Sequence, residues 1–231
     1  MLSATINLAR HYHRTKQFRV AGRIFYRFQQ RNPQHKLAAM TLFMSAQSYM
    51  QNKDFPDAVK LMSGARGVLI IPELVQGGFI LGAAGGRGVL VARTKPNDWS
   101  FPVFYGMGSG SIGLQIGGKV SEIVFIIRTE KGLAAILDHK FKFGAEAGVT
   151  LVAVGIGLEG ASTAAGGADV VAFANSAGLF AGASIEGSFL EPDSDWNAIY
   201  YGPGATAKAI AIDRKFSNPG GEPLRKFLAK W

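Results

Sequence analysis

Bulky apolar residues are interleaved with glycine over Ala65–Gly118, and this pattern most constrains what the chain can fold into. Of the chain's 30 glycines, 23 lie between Gly77 and Gly187. Flexible linkers are rich in Gly and Ser but poor in Val, Ile and Phe, which are abundant here. Glycine inside a strand marks a bulge, a bend or a close backbone approach. The segment therefore predicts a curved sheet.

Predicted helices lie on both sides of this segment. Apolar residues at helical spacing predict one helix over residues 4–31, which ends at Asn32 because the residue before a proline avoids the α region. The other predicted helices are Leu37–Met50, Pro56–Met62, Glu130–His139 and Pro223–Trp231, with a short helix or turn at Asp193–Tyr201. Thr206–Ile212 stays ambiguous.

Short β-branched or aromatic runs bounded by Gly, Pro or Asn predict the strands. These runs are Val68–Ile71, Gly88–Arg93, Val103–Met107, Ile112–Ile116, Ile123–Arg128, Phe141–Val154, Ile156–Ser162, Val170–Ala174 and Leu179–Phe189. The short turns between them favour antiparallel pairing. We therefore predict an α+β fold, in which N-terminal helices pack on a glycine-rich, curved, mostly antiparallel β core.

Positive charge is concentrated near the N-terminus. Residues 1–53 contain nine Lys and Arg and no Asp or Glu, whereas residues 54–231 contain 16 Lys and Arg and 16 Asp and Glu. The net charge of +9 therefore belongs to the N-terminal part. We divide the chain into a basic amphipathic arm or targeting segment, residues 1–36, and a main domain, residues 37–231. The neutral main domain does not indicate a nucleic-acid partner.

Two opposed stripes, one basic and one apolar, run along the predicted arm helix. Basic residues on one face and aromatic residues on the other are typical of a helix that lies on an anionic membrane. Three alternatives stay open: the apolar stripe packs on the domain, the arm is a cleaved transit peptide, or it binds nucleic acid. The candidate lipid-binding residues are Arg10, Arg14, Arg19, Arg23, Arg27 and Arg31, with Phe18, Phe25 and Phe28, and Lys119 in the main domain.

Two glycine motifs have the spacing of phosphate-binding loops. Gly108–Gly113 fits G-x-G-x-x-G, and Gly113–Val120 differs from a P-loop only in lacking the Ser or Thr that ligates Mg²⁺. Both loops bind phosphate at the start of a helix, whereas strand-like residues follow here. We therefore expect no nucleotide partner. Lys119 is expected to be a solvated turn residue or a contact for an anionic head group.

Residue types used in catalysis or metal binding form no recognised pattern. The chain has no cysteine, no His-Glu-x-x-His motif and no Gly-x-Ser-x-Gly elbow. His11 and His13 are separated by one residue and would bind a metal only weakly. We therefore expect no catalytic residue, no metal and no cofactor. An enzyme acting on lipid or sugar substrates is the least favoured hypothesis.

Several motifs in a fixed order resemble the SYLF-domain family of lipid-binding actin regulators. They cover about three quarters of the chain, from Asp54 onwards. The segments that carry the resemblance are Ala65–Pro72, Gly78–Phe79, Gly85–Arg93, Trp99–Pro102, Gly106–Gly117, Thr129–Leu133, Gly178–Gly182, Glu186–Ser188 and Asp195–Gly202. The segments FYGMGSGSIGLQIG and DWNAIYYG are similar to the stand-alone bacterial branch of the family.

This resemblance implies a non-enzymatic domain that binds membranes, notably phosphoinositides in eukaryotic relatives, and that regulates actin in fungal and animal members. Many relatives have Lys-Ala-Gly-Phe where this chain has Gln76–Phe79, so a basic contact is expected to be lost there. Bacterial relatives are usually exported to the cell envelope. We expect a membrane-associated protein, in the envelope or periplasm by the resemblance, or cytoplasmic if the N-terminus is as given. The main alternative is a protein-interaction component of the cell envelope.

Overall fold

The structure is a computed structural model that describes residues 2–32, 35, 37–51, 61–78, 81–96, 98–112, 117–138, 140–145, 148–155, 166–175, 185 and 187–230. Its helices are α1 (Leu2–Arg14), α2 (Phe18–Arg31), α3 (Ala38–Gln51), α4 (Glu130–Asp138), α5 (Ser194–Tyr201), α6 (Ala207–Ala211) and α7 (Glu222–Leu228). Short 3-10 turns lie at Met62–Gly64 and Pro219–Gly221. The strands are β1 (Gly67–Gly78), β2 (Leu81–Lys95), β3 (Asp98–Trp99), β4 (Val103–Ile112), β5 (Gly117–Ile127), β6 (Phe141–Lys142), β7 (Leu151–Gly155), β8 (Val170–Asn175) and β9 (Phe189–Pro192).

The described strands join in one sheet with the order β6-β9-β4-β2-β1-β5-β8-β7, and β3 pairs with β2 beside this row. The pairings are antiparallel except for that of β7 with β8. The sheet curls into a half-barrel. The predicted α+β class, with N-terminal helices before a curved and mostly antiparallel β core, is confirmed.

The two faces of the sheet are covered by different helices, because successive strand residues point to opposite sides. On one side, which we call the α3 face, Ile70 and Val124 pack with residues of α3, α5 and α7. On the other side, which we call the α4 face, Leu69 and Phe125 pack with residues of α4 and α6. Central strands buried on both faces explain the near-continuous apolar runs of the sequence.

Two glycines of β2, Gly86 and Gly88, are required by a bulge in β1. Between Ile70 and Glu73, β1 contains one more residue than the facing part of β2. A Cβ atom on Gly88 would lie 2.1 Å from the Ile70 carbonyl oxygen, and one on Gly86 would lie 2.6 Å from that of Glu73. Only glycine fits such an approach of two backbones. The prediction that glycine marks a bulge and a close backbone approach is confirmed at these positions.

Arg93, near the end of β2, holds the turn that leads into β1. Its Nε donates to the Ala65 carbonyl at 2.9 Å, and its Nη2 donates to the carbonyls of Met62 at 3.1 Å and Ser63 at 2.6 Å. The guanidinium also lies over the Trp99 ring, 4.9 Å from its centroid. This buried arginine therefore has a structural role in the motif that carries the family resemblance.

Most predicted elements occur within the described residues, but β1, β2, β4 and β5 extend well beyond the predicted strands, and Phe141–Val154 does not form one strand. β6 ends at Lys142 and β7 begins at Leu151. A turn follows β6, where Gly144 has a φ of +83°. The ambiguous segment Thr206–Ile212 forms α6, and the Thr206 hydroxyl caps it by accepting from the Ala209 amide at 3.2 Å.

Some predictions fall on parts of the chain outside the described residues. They are most of the helix Pro56–Met62, residues 113–116 of the strand Ile112–Ile116, the strand Ile156–Ser162, and most of the strand Leu179–Phe189. Within the described residues, no helix combines the length and the apolar character that crossing a bilayer requires.

Candidate functional site

The predicted arm helix is two helices in the structure. α1 ends at Arg14 and α2 begins at Phe18, and between them Lys16 has a φ of +61°. The Thr15 hydroxyl donates to the His11 carbonyl at 3.1 Å, which satisfies the end of α1. The prediction of one continuous helix over residues 4–31 is therefore wrong. Neither Gly nor Pro lies at the break, so the local sequence carries no strong signal for it.

The apolar stripe of the arm is buried between helices. Phe25 and Phe28 form a cluster with Ile6 and Ala9 of α1 and with Ala21 of α2, and Met44 of α3 packs against it. Because these side chains are buried, the prediction that Phe25 and Phe28 contact lipid is wrong for this structure. The stripe packs on α1 of the arm itself and on Met44 of α3, so the alternative that it packs on the domain is confirmed in part.

Phe18 differs from the other two phenylalanines of the predicted set because it is only half-buried. Its ring packs edge-to-face against His13, with the ring centroids 5.2 Å apart. It therefore spans the turn between α1 and α2 and helps to hold the two helices together.

Polar contacts hold α2 on the α3 face of the sheet. The Tyr26 hydroxyl donates to the Glu73 carbonyl at 2.9 Å, and Arg19 Nη2 lies 3.9 Å from Glu122 Oε2. Burial raises the pKa of Tyr26 to about 12, so its hydroxyl keeps its proton and stays a donor near neutral pH. The Ser45 hydroxyl of α3 also donates to a carbonyl of α2, at 2.9 Å. These contacts give α2 a defined position above β1 and β5.

The basic stripe lies on the outside of the same two helices. All of its members are exposed; we call Arg10, Arg14, Arg19, Arg23, Arg27 and Arg31 the arginine face. Residues four apart on a helix differ in direction by only about 40°, so the arginines of α2 form a continuous band. No Asp or Glu occurs in residues 1–53, and Glu122 of β5 offsets part of the charge at Arg19. The arrangement suits attraction of an extended anionic surface.

Lys119, the remaining member of the predicted lipid-binding set, lies in β5, where its backbone faces Gln76 of β1. Its predicted turn position is therefore wrong. The same strands contain the two phosphate-loop look-alikes, because Gly108–Ile112 is part of β4 and Gly117–Val120 is part of β5. The prediction that strands occupy these motifs, where phosphate binding requires the start of a helix, is confirmed for the described residues.

Val75 and Val120 form an exposed apolar pair that the sequence analysis did not single out. They are direct cross-strand partners on β1 and β5. The sequence pattern alone does not separate an exposed strand valine from a buried one, because the limit of the core is set by which helices cover the sheet.

His13 makes the packing of α1 on α2 sensitive to pH. Burial lowers its pKa below the ordinary value of 6.5. The His13 imidazole therefore takes up a proton more readily in the unfolded chain than in the folded one. The free energy of unfolding is unaffected by this group well above pH 6.5 and decreases as pH falls below 6.5. We expect His13→Gln to show a smaller decrease in Tm than the unmodified chain between about pH 7.5 and about pH 5.5, measured by circular dichroism.

His11→Gln is the matched control for that experiment, because His11 is exposed two residues away. It should leave the acid-dependent decrease in Tm unchanged. Equal pH dependence in the His13 variant and the unmodified chain would contradict the assignment. Metal binding is a separate matter: among the described residues, no three His, Asp or Glu side chains are grouped as a metal ion requires.

Comparison with known proteins finds one family model and several relatives that agree with one another. Residues 108–231 match the family model described as "Ysc84: Las17-binding protein actin regulator". The chain is 33% identical over 176 residues to LAS seventeen-binding protein 3 of Saccharomyces cerevisiae, which covers 75% of this chain and 38% of that protein. It is also 32% identical over 171 residues to Protein YSC84 of the same yeast. That match covers 73% of this chain and 36% of the yeast protein.

A human protein is similar as well. The SH3 domain-containing YSC84-like protein 1 of Homo sapiens is 30% identical over 154 residues, which cover 65% of this chain and 45% of the human protein. The match to each of these three relatives thus spans less than half of that relative's length. The family model begins in β4, so the arginine face lies outside the residues it matches.

Proposed function

The chain belongs to the Ysc84 family, also called the SYLF-domain family, and from this premise we propose that it is a non-enzymatic peripheral membrane module that binds anionic phospholipid. The observation that carries the proposal is the arginine face, six exposed arginines on two packed helices without an acidic residue. We infer a membrane-surface localisation from it. The relatives named above are yeast and human proteins, so membership of a bacterial branch stays a prediction.

Electrostatics supports attachment without deep insertion of α1 or α2. Each Lys or Arg close to an anionic bilayer contributes about 1 kcal/mol, and this contribution falls off within a Debye length. Because Phe25 and Phe28 are buried, they add no apolar term from the arm. Binding through the arginine face should therefore depend strongly on lipid charge and on salt concentration.

We expect the triple variant Arg23→Gln, Arg27→Gln, Arg31→Gln to partition onto anionic vesicles about 100-fold more weakly than the unmodified chain. Three arginines at about 1 kcal/mol each give about 3 kcal/mol, and 1.4 kcal/mol is tenfold. The measurement is co-sedimentation with vesicles of phosphatidylcholine and phosphatidylserine. Raising NaCl from about 0.05 M to about 0.5 M should release the unmodified chain, because screening shortens the range of the attraction.

The matched control removes three charges from the C-terminal region, in the variant Lys215→Gln, Lys226→Gln, Lys230→Gln, whose lysines are also exposed. Its net charge equals that of the arginine variant, so its vesicle binding should stay close to that of the unmodified chain. Two results would overturn the proposal: no binding of the unmodified chain to anionic vesicles, or equal losses in both triple variants.

The second candidate function is protein binding. Its support comes from the comparisons, because the matching family is described as Las17-binding and actin-regulating. The matched residues 108–231 do not include the arginine face, so the two functions can be separated by mutation. If the matched region binds protein, the triple arginine variant should retain binding to purified Las17 or actin while losing vesicle binding. Failure of the unmodified chain to bind either protein would count against this candidate.

A further inference from the structure

The sheet carries an exposed apolar pair beyond the end of its core. Val75 and Val120 have 49% and 54% of their surface exposed, although their strands are central in the sheet. They face each other across the antiparallel pair β1 and β5, so their side chains lie on the same face. Together they form a small hydrophobic patch; we call it the valine pair.

The valine pair lies next to α2, on the α3 face. Val120 is two residues from Glu122 along β5, and Glu122 is the residue that pairs with Arg19 of α2. Residues two apart on a strand share a face and are separated by about 7 Å. On β1, Val75 similarly follows Glu73, whose carbonyl accepts from Tyr26 of α2. The patch is therefore about one residue row further along the sheet than the contacts of α2, and Arg19 of the arginine face lies beside the neighbouring row.

The rows beyond the valine pair contain glycine. Gly77 of β1 faces Gly118 of β5, and Gly78 faces Gly117 and Gly82. Glycine has no side chain, so Gly77 and Gly118 themselves add no bulk beside the valines.

We propose that the valine pair enters the hydrocarbon boundary of an anionic bilayer while the arginine face contacts the lipid phosphates. This inference rests on the proposed function and adds an insertion site to it. Apolar side chains beside a basic surface are the arrangement that interfacial membrane proteins use. Two partly inserted valines supply a modest apolar term that is largely independent of salt, unlike the arginine face.

A second copy of the chain is a less suitable occupant than a bilayer. In a symmetric dimer the same patch of both copies meets, so α2 of one copy would approach α2 of the other. That arrangement brings arginines towards arginines, whereas an anionic bilayer complements them. The exposed surface of two valine side chains is also far smaller than the roughly 800 Å² that each partner buries in a stable protein interface.

The chain has no cysteine, so a single introduced cysteine can be labelled uniquely. In the variant Val120→Cys labelled with NBD, we expect emission to shift to shorter wavelength and to increase at least about twofold on vesicles containing phosphatidylserine, and to stay unchanged on neutral vesicles. The matched control is Ile212→Cys, which is 37% exposed and follows α6 on the α4 face. Its NBD emission should not respond to either vesicle.

A second measurement does not depend on the label. The double variant Val75→Ser, Val120→Ser should bind anionic vesicles about tenfold more weakly than the unmodified chain. This ratio should be the same at about 0.05 M and about 0.15 M NaCl, because screening weakens the attraction of the arginines but not an apolar contact. The control Ile199→Ser, Ile212→Ser replaces two exposed isoleucines elsewhere and should bind normally.

The outcomes separate this inference from the proposed function. If the chain binds vesicles but neither the Val120 label nor the valine-to-serine variant responds, the insertion site is overturned and the arginine face stands. If the chain does not bind vesicles at all, both the proposed function and the insertion site are overturned. If light scattering shows a dimer that the valine-to-serine variant abolishes, the pair is an interface between copies and the inference is wrong.

Discussion

Gly88→Ala should destabilise the protein by at least about 3 kcal/mol. The new methyl group would lie 2.1 Å from the Ile70 carbonyl oxygen, which is backbone of the facing strand and cannot turn away as a side chain can. Relief requires β1 and β2 to separate at the bulge, where both strands are buried in the centre of the sheet. Forced overpacking of a core typically costs 1–3 kcal/mol and more when backbone must move. Urea denaturation followed by circular dichroism measures the loss.

Gly85→Ala is the matched control on the same strand. A Cβ atom at Gly85 would have no other atom within 4 Å, and the position is exposed. Its effect on the free energy of unfolding should stay within about 0.5 kcal/mol, with a small gain possible because the unfolded chain loses conformational freedom. Similar stabilities for the two variants would show that the close approach at the bulge does not require glycine.

Asn197→Leu should cost about 2–3 kcal/mol, because this buried side chain completes the hydrogen bonding of a strand residue. Its Oδ1 accepts from the Phe104 amide at 2.9 Å, and its Nδ2 donates to the Phe104 carbonyl at 3.2 Å. That carbonyl also accepts from the Asp193 amide, so the amide of Phe104 is the group that leucine leaves without a partner. An unsatisfied buried backbone group typically costs about 1–3 kcal/mol.

Asn197→Asp tests the same contact through its pH dependence. A carboxylate keeps the acceptor for the Phe104 amide but loses the donor, and its burial should raise the pKa of the new carboxyl. A raised pKa in the folded state means that stability is greatest at acidic pH and is lost as pH rises. The variant should therefore be less destabilised relative to the unmodified chain at about pH 4.5 than at about pH 7.5.

Ser194→Ala, an exposed change in the same helix, is the control for both Asn197 variants and should change stability by less than about 0.5 kcal/mol. A leucine variant as stable as this control would show that the two hydrogen bonds to Phe104 contribute nothing. The pairing joins residues 93 positions apart, so it couples α5 to the centre of the sheet.

The fold was largely predictable because its signals are local. The strands around Ile70, Val89 and Val124 are β-branched runs, and helix α4 begins at the expected residue. The error over Phe141–Val154 has a local reason in part: Gly144 adopts a positive φ that glycine permits and that an apolar run does not reveal. Glycine within the apolar segment predicts a close backbone approach, but only the structure shows that Gly86 and Gly88 face the carbonyls of Glu73 and Ile70.

The basic surface of the candidate site was predictable from the sequence, but the surroundings of its aromatic residues were not. The opposed stripes on α2 are a property of helical spacing, and the structure keeps the arginines outside and Phe25 and Phe28 inside. Whether the apolar face of an amphipathic helix contacts lipid or protein depends on which other segments of the chain pack against it. Here α1 folds back and α3 packs alongside, so the phenylalanines are covered by the chain itself.

The amino-acid sequence by itself determined the α+β class, the family resemblance, the concentration of positive charge near the N-terminus and the places where the backbone comes close to itself. These follow from periodicity and residue type, which act over a few residues. Only the tertiary structure decided that the arm is two helices and that Phe25 and Phe28 are buried. It also decided that Asn197 forms hydrogen bonds with the backbone of Phe104 and that the valine pair is exposed. Each of these depends on which distant surfaces meet, because burial is a property of contacts between segments and not of any segment alone.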